Sequence, residues 1–399
     1  MKKMIAVLLM LCICVSLFAG CGNNAATIGE TTQAPATAQN AATAEDIAAL
    51  EALYTGRVAS YGDTHCHSSS TTNSDGKVSL AEYKAHLLEN NIDFATIVDH
   101  GQAAHMKLAE WDDTLFVGGT EPGMHVAGVE VERKNNIDYS MIFTDVNALE
   151  TVLKTYPQYF LYNETTGVFG QRRFTADHAA TAEFIQTVKD NGGMWVHVHP
   201  LAHDEYGYYD PVDKTKYWFA DEVGFEVTNA GYGGTDSETN KNAYAMWVNL
   251  LNAGHRVWAT CGGDGHSVLP YIWILSTVYA AEKNPEGYFA QMKTGNMTAG
   301  PVGIRIAVGN TATGSQGGFA GNRVVIAAGD FHPLATKEDH TYRLDVYDET
   351  GLLFSEDIST TEMNYVAFDA KADAKYYRAD VYDVTANKLL AVGNPVWNG

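Results

Sequence analysis

The sequence predicts an α/β protein followed by a smaller all-β region. Between residues 55 and 300, short apolar runs alternate with helical stretches, which is typical of βα units and a mostly parallel sheet. Beyond Pro301, strand-like alternation continues without helical stretches, and Gly, Asp and Asn supply the turns. Histidine and acidic residues stand at the ends of several predicted strands, which indicates one shared site at an edge of the sheet.

The first twenty residues are typical of a targeting segment. Two lysines precede an apolar run from Met4 to Phe18, which is too short to span a bilayer comfortably. The following Ala19-Gly20-Cys21 resembles the lipobox of bacterial lipoproteins. We therefore expect residues 1–20 to be a signal peptide and Cys21 to be lipidated. The chain would then be extracytoplasmic, held on the bacterial cytoplasmic membrane by lipid alone. An ordinary secretory signal followed by a chance cysteine is the alternative.

Residues 21–54 are expected to form a flexible tether. Most of this stretch is Ala, Thr, Asn and Gln, with few large apolar groups to offset the entropy of ordering the chain. The cysteines that remain after Cys21 are Cys66 and Cys261, which could pair but are better explained as buried thiols.

The charge of the chain restricts its partners. The formal net charge is -22 at pH 7. An acidic surface of that size argues against nucleic acid as a partner and against binding to polyanionic membrane patches. We expect a small-molecule substrate instead.

The segment Asp63-Thr64-His65-Cys66-His67 contains the strongest candidate for a metal site. A strand has a period of two, so Asp63, His65 and His67 share one face. Two imidazoles at this spacing suit zinc, manganese or iron.

Four further strand ends and one polar loop carry the same residue types. They are Ser74-Asp75-Gly76 in the loop, Asp99-His100, Gly128-Val129-Glu130, His197-Val198-His199 and Asp264-Gly265-His266. A lone histidine at such a place is usually an ordinary core or surface residue. Coincidence at so many strand ends favours a functional site over packing.

The order of these motifs resembles the PHP (polymerase and histidinol phosphatase) superfamily of metal-dependent phosphoesterases. The likeness covers about residues 58 to 300. It implies a distorted (β/α)7 TIM-like barrel, the PHP fold, over residues 55–300. The all-β region, residues 301–399, would be a small β-sandwich accessory domain, an arrangement more like the CehA/McbA-type metallohydrolases. Within this region, Arg343–Asp348 is echoed by Arg378–Asp383, which suggests two similar hairpins.

The resemblance also implies which residues bind metal, and we expect two or three divalent ions of Zn, Mn or Fe. One ion would be held by His65, His67, Glu130 and Asp264, a second by Glu130 and His199, and a third by Asp75, His100 and His266. We count Asp63, Glu130 and Asp264 as catalytic, with Asp63 expected to orient a ligand imidazole.

One position departs from the family pattern. The family has a further histidine for the second ion about ten residues beyond the bridging Glu, where this chain reads Asp138-Tyr139-Ser140-Met141. His197 could replace it, because residues two apart on a strand face the same way.

The expected activity is that of a metal-dependent phosphoesterase (EC 3.1), in which a metal-bridging hydroxide attacks a phosphomonoester or phosphodiester. Cleavage of an ester, carbamate or amide by the same class of barrel is the nearest alternative. Amidohydrolases usually have a carboxylated lysine in mid-barrel, and no lysine stands at a candidate strand end here. A non-catalytic, metal-containing surface lipoprotein is the alternative from another class of function.

Overall fold

The structure is a computed structural model that describes residues 40–72, 74–126, 136–171, 174–202, 220–266 and 274–399. The chain divides into a unit of residues 1–32, which lies outside the described residues, and a unit of residues 33–399, which is described below.

Helices and strands of this unit are given in chain order. The α-helices are α1 (Ala44–Leu53), α2 (Leu80–Asn90), α3 (Val146–Thr155), α4 (His178–Asp190), α5 (Glu238–Asn252) and α6 (Pro285–Met292). The strands up to residue 300 are β1 (Val58–Cys66), β2 (Phe94–Ile97), β3 (Phe116–Thr120), β4 (Gly123–Val126), β5 (Asn136–Phe143), β6 (Phe160–Asn163), β7 (Val168–Gln171), β8 (Phe174–Ala176), β9 (Met194–His197), β10 (Val223–Asn229), β11 (Val257–Gly262), β12 (Ser276–Ala280) and β13 (Met297–Ala299). The later strands are β14 (Val302–Val308), β15 (Thr311–Ala312), β16 (Gln316–Gly317), β17 (Arg323–Phe331), β18 (Tyr342–Asp348), β19 (Gly351–Ile358), β20 (Asn364–Asp369), β21 (Tyr376–Asp383), β22 (Lys388–Gly393) and β23 (Val396–Asn398).

A curled mixed sheet carries the candidate site. Its strands pair in the order β11, β10, β9, β5, β3, β2, β1, β12 and β13. The sheet curls far enough for the segment after β11 to meet β1: the amide of Asp264 donates to the His65 carbonyl at 2.8 Å, and the amide of His67 donates to the Gly265 carbonyl at 3.2 Å. The ends of β1 and β11 therefore lie side by side.

The predicted α/β class is confirmed, but the regular alternation is not. Strand β5 runs antiparallel to both of its neighbours, β3 and β9. Between β2 and β3 the chain forms only a 3-10 helix, Ala104–Lys107. The structure is thus a curled mixed sheet with few helices, and the seven-stranded βα barrel stays a prediction.

Helix starts were readable from the sequence. Ser79 caps α2 and accepts from the amide of Glu82, whose side chain accepts from the amide of Ser79 in return, as the capping-box pattern predicts. Asn284 caps α6 before Pro285, and Gly295 beyond its end has a φ of 67°. These contacts determine where the two helices begin.

Residues beyond Pro301 form two antiparallel layers around one apolar cluster. Strands β14, β15, β17 and β20 make one sheet, and β18, β19, β21 and β22 make the other. Side chains such as Ile304, Ile326 and Val346 fill the space between them. The second layer is continuous with the curled sheet through pairing of β13 with β22. The separate β-sandwich domain over residues 301–399 stays a prediction.

Part of the stretch that was expected to be a tether forms helix α1. Helix α1 docks on the C-terminal region: the Arg305 guanidinium donates twice to the Glu51 carboxylate, at 2.8 Å each, and Arg323 donates to Asp46 at 2.8 and 3.1 Å. The sequence had suggested a tether here because the stretch is rich in alanine. Alanine is also the strongest helix former, and a capping box at Thr43 starts the helix. No helix among the described residues is both long enough and apolar enough to cross a bilayer.

Candidate metal centre

The candidate site lies where the carboxyl-terminal ends of β1, β3, β9 and β11 meet. Both His65 and His67 are at the end of β1, and Asp264 and His266 follow β11. Glu121 follows β3 directly, and His199 follows β9. Because neighbouring strands end at the same edge of the sheet, side chains far apart in sequence converge here.

Glu121 is the centre of this convergence. Its Oε2 atom lies 2.9 Å from Nε2 of His65 and 2.8 Å from Nε2 of His67, while its Oε1 lies 3.1 Å from Nε2 of His199. The two β1 imidazole nitrogens are 3.1 Å apart, and Asp264 Oδ1 is 3.3 Å from His67 Nε2. All five side chains are buried.

Three groups of side chains bring potential ligand atoms within 4.8 Å of one another. They are His65, His67, Glu121 and Asp264; His67, Asp75, His100 and His266; and Glu121, Asp138 and His199. In the second group, the ring centroids of His100 and His266 each lie 4.5 Å from that of His67 and 6.1 Å from each other. Asp75 Oδ1 lies 3.3 Å from His100 and 3.0 Å from His266.

The electrostatics of the centre favour positive charge. Burial opposes charge on these rings, but the neighbouring carboxylates raise the pKa of His65 well above its usual value, that of His67 to about 9 and that of His199 to about 10. Burial also opposes charge on Glu121, yet the imidazoles hold the pKa of its carboxyl well below the usual range. The potential that stabilises an imidazolium here would equally stabilise a divalent cation.

The residues present fit a metal ion. Donor atoms about 2.1 Å from one tetrahedral ion lie roughly 3.4 Å apart, close to the separations of 2.8 to 3.6 Å around Glu121 Oε2 and Asp264 Oδ1. Within the described residues, Asp264 Oδ1 is buried without a hydrogen-bond partner. Buried polar atoms normally have a partner, so this position suits an ion.

Of the residues predicted from the sequence, His65, His67, Asp75, His100, His199, Asp264 and His266 all belong to one of these groups. Glu130 lies outside the described residues, so its predicted bridging role stays a prediction. Glu121, which the sequence interpretation missed, belongs to both the first and the third group. The signal existed, because Gly119-Thr120-Glu121 has the same Gly-x-Glu pattern and its glutamate directly follows β3.

His197 does not take the expected second-ion position. Strand β9 ends at His197, and His199 has a φ of 29°, so the two residues do not continue one strand and the period of two fails. The His197 ring lies 6.1 Å from that of Trp195 and 6.3 Å from that of Phe225. Burial lowers its pKa to about 3. The structure places Asp138 beside Glu121 and His199 instead.

Asp63 is buried close by, but it contacts the backbone. Its Oδ1 atom accepts from the amides of His65 and Gly263, at 2.9 Å each. The predicted contact with a ligand imidazole comes from Glu226, whose Oε1 lies 3.2 Å from Nδ1 of His65. Asp63 therefore holds β1 against the segment after β11, and the expectation that it orients a ring is corrected.

A cavity of about 400 Å³ opens onto the three groups. Ligand atoms of Glu121, Asp138, His199 and Asp264 reach its wall, and Tyr232 adds an aromatic ring 5.0 Å from that of His199. The described part of this wall contains no lysine or arginine. An anionic substrate would therefore depend on bound cations to offset its charge.

No protein-family model and no curated protein matches this chain. Solved structures similar to it include a two-domain protein from Bacteroides vulgatus predicted to contain a PHP-like metal-dependent phosphoesterase, at 14% identity over 86% of this chain and 96% of that chain, with a TM-score of 0.39. The lesion-specific endonuclease EndoQ from Pyrococcus furiosus is 13% identical over 59% of this chain and 56% of its own, with a TM-score of 0.41. An amidohydrolase from Chromobacterium violaceum is 13% identical over 52% of this chain and 87% of its own, with a TM-score of 0.29.

These similarities are too weak to assign a family or an activity, since all three TM-scores are below 0.5. All three proteins are named as hydrolases of some kind or as containing one. The expectation that nucleic acid is no partner stays a prediction that rests on charge alone.

Proposed function

We propose that this protein is a metal-dependent hydrolase, and that its substrates are small phosphate esters. The observation that carries the proposal is the position of Glu121, whose two oxygens lie within 3.1 Å of ring nitrogens from three histidines. A buried carboxylate that faces ligands of two adjacent groups is the arrangement needed to bridge two cations.

Residues of the first and third groups would hold the two bridged ions. Bound there, divalent cations would lower the pKa of a water and neutralise charge that develops on phosphate oxygens. Asp264 and His67 complete the first position. The third ion, where present, would lie among Asp75, His100 and His266, which line the cavity.

Because of Asp138, the ligand types of the third group differ from those of the second group. The third group offers two carboxylates and one imidazole, whereas the second offers three imidazoles and one carboxylate. Oxygen ligands suit harder ions such as manganese or iron(II), and imidazoles suit zinc. We therefore propose that Asp138 fills the position for which the sequence suggested His197.

Two alternatives remain compatible with the same geometry. The cavity wall described above would also accept a neutral ester, carbamate or amide, because it offers no fixed cation to select an anion. A surface lipoprotein that binds metal without turnover would use the same ligands. The absence of a Lys or Arg in the described wall favours small substrates over nucleic acid, whose phosphates need several such contacts.

We also propose that the protein is extracytoplasmic and attached to the cytoplasmic membrane through lipidated Cys21. The support is the charged start, the apolar run and the Ala19-Gly20-Cys21 ending. Cell fractionation of a Cys21→Ser variant tests this. A variant that stays membrane-bound and is processed normally would contradict it.

The direct test of function measures metal and turnover together. Purified protein would be analysed for Zn, Mn and Fe, then assayed before and after chelation on a phosphomonoester, a phosphodiester, a carboxylic ester and a carbamate. We expect at least two ions per chain and phosphoester turnover that chelation removes and metal restores. Turnover of the carboxylic ester or carbamate alone would favour the first alternative. Bound metal with no turnover on any substrate would favour the second.

A further inference from the structure

We infer that Glu226 is a positioning residue that makes His65 a metal ligand through its Nε2 atom. This inference rests on the proposed function, because it concerns the same centre. Glu226 lies in the middle of β10, within the otherwise apolar or neutral sequence Val223–Asn229, and is 2% exposed. It is not among the groups that converge on a potential ion position.

Three donors meet the Glu226 carboxylate. Its Oε1 lies 3.2 Å from Nδ1 of His65, and its Oε2 accepts from the amide of His199 at 2.7 Å and from Nδ2 of Asn229 at 2.8 Å. An ionised carboxylate is acceptor-only, so Glu226 favours a hydrogen on Nδ1 of His65. With a metal ion at the centre, Nε2 of His65, which lies 2.9 Å from Glu121 Oε2, would then be the ring atom that binds the ion.

The same carboxylate also fixes a second ligand. His199 follows β9 with a φ of 29°, a conformation that is uncommon for a residue other than glycine. The hydrogen bond from its amide to Glu226 Oε2 holds the backbone in that conformation. Glu226 therefore positions one histidine of the first group and one of the third.

The packing around Gly262 leaves room for Glu226 to contact His65. A Cβ atom at Gly262, on the neighbouring strand β11, would lie 2.3 Å from the Cβ of His65 and 2.5 Å from Glu226 Oε1. Only glycine leaves room for the two side chains to meet at this position.

Glutamine is a sharp probe, because it keeps the shape of Glu226 but can accept on one side only. If its NH₂ faces His65, the ring must accept at Nδ1, and its hydrogen moves to Nε2, where it blocks ligation. If its NH₂ faces the His199 amide, two buried donors oppose each other, and one is left unsatisfied. Either orientation weakens the centre.

The experiment measures zinc binding to the full-length protein. Zinc content would be determined by elemental analysis, and the Kd by competition with a chromophoric chelator, for wild type, Glu226→Gln, Glu226→Asp and Glu222→Gln. Glu222 is the matched control, since it precedes the same strand but pairs with Lys189 and Arg256 at its half-exposed end. ¹⁵N spectra of the histidine rings would report which nitrogen of His65 carries the hydrogen, with a His65→Asn variant to assign its signal.

We expect Glu226→Gln to weaken zinc binding by about 10 to 100-fold, the scale for partners of metal-bound histidines. The hydrogen of His65 should move from Nδ1 to Nε2 where the glutamine NH₂ faces the ring. Glu222→Gln should match wild type. If Glu226→Gln does not fold, Glu226→Asp still decides, because a shortened carboxylate should give weaker binding than wild type. Wild-type zinc affinity in a folded Glu226→Gln or Glu226→Asp protein would overturn this inference alone. A wild-type protein that binds no zinc, manganese or iron would overturn the proposed function as well.

Discussion

The metal centre and the C-terminal sheet both bury ionisable side chains, but they neutralise them differently. In the C-terminal sheet, an arginine–aspartate cluster consists of Arg343, Asp345, Arg378 and Asp380. Arg378 donates to Asp380 at 2.5 Å, and Arg343 donates twice to Asp345, at 2.7 and 2.8 Å. Two permanent cations thus offset two carboxylates within the cluster.

The metal centre has no such balance. Glu121, Glu226 and Asp264 are buried, and within the described residues their ion pairs are with histidines, which are charged only when protonated. Among the described residues, no permanent cation pairs with these three carboxylates. Buried charge alone therefore does not indicate a functional site. Buried carboxylates without a guanidinium or ammonium group beside them indicate a site that binds a cation from solution.

Removal of a permanent cation from the arginine–aspartate cluster gives the largest expected effect. Arg378→Met leaves Asp380 buried and uncompensated, next to Asp345 directly opposite it on β18. Loss of one partner of a buried pair costs about 3–5 kcal/mol of unfolding free energy, measurable by urea denaturation. Metal content per folded chain should not change.

Arg343→Met is the matched control for that prediction. The Arg343 side chain is 38% exposed, and its pairing with Asp345 is partly screened by water, so we expect a loss of at most about 1 kcal/mol. Equal losses in the two variants would show that burial of the guanidinium is not what makes the cluster stable.

The matching change at the metal centre should remove function rather than fold. Glu121→Gln keeps the shape but removes the charge that faces three histidines, so we expect loss of at least one bound ion and a fall in hydrolysis of at least about a hundredfold. Glu130→Gln is the natural control, because Glu130 was the bridging residue that the sequence suggested. Loss of metal in Glu130→Gln with full metal in Glu121→Gln would contradict the central place of Glu121.

Sequence alone predicted the parts of the site that strand periodicity and strand ends determine. His65, His67, Asp264 and His266 were found because β1 alternates and because the segment after β11 is polar. Glu121 was missed because the sequence does not show that the strand before it ends at the centre, and the role of Glu130 stays a prediction. The role of Glu226 could not be predicted from the sequence, because a single acidic residue in an apolar strand does not reveal which side chains it contacts. The direction of the His197 side chain relative to His199 could not be predicted either, because the backbone turn at His199 breaks the strand period of two.

The C-terminal region shows the same limit. The repeated segments Arg343–Asp348 and Arg378–Asp383 were predicted to start two hairpins, and β18 with β19 and β21 with β22 do form hairpins. That β18 and β21 also pair with each other, with Asp345 opposite Asp380, could not be predicted. Pairing between distant strands depends on the shared core and leaves no local pattern.

Bound metal should stabilise the folded protein by mass action, and this effect should be smaller than those of the substitutions Arg378→Met and Glu121→Gln. At free zinc ten times its Kd, we expect the unfolding free energy of wild type to rise by about 1.4 kcal/mol, because the folded state alone has the assembled ligands. The rise would appear as a higher Tm in thermal denaturation with zinc than with chelator. Arg378→Met should show the same increment from its lower baseline, whereas an absent increment in wild type would mean that the converged ligands do not bind zinc.

The smallest effect concerns a pair outside these two regions, Asp46 with Arg323, which docks helix α1 and whose arginine side chain is 41% exposed. The hydrogen bonds from Arg323 hold the pKa of the Asp46 carboxyl below its usual 3.8. Because the folded state favours the ionised form, the pair stabilises the fold above that value, and its contribution is lost as the pH falls through the folded pKa. Asp46→Asn should cost about 1 kcal/mol or less at pH 7. The difference from wild type should shrink in urea denaturation as the pH falls below 3.8 and through the lower folded pKa. A difference that persists there would show that Asp46 acts mainly as part of the helix cap with Thr43, whose amide donates to Asp46 at 3.0 Å, rather than through its charge.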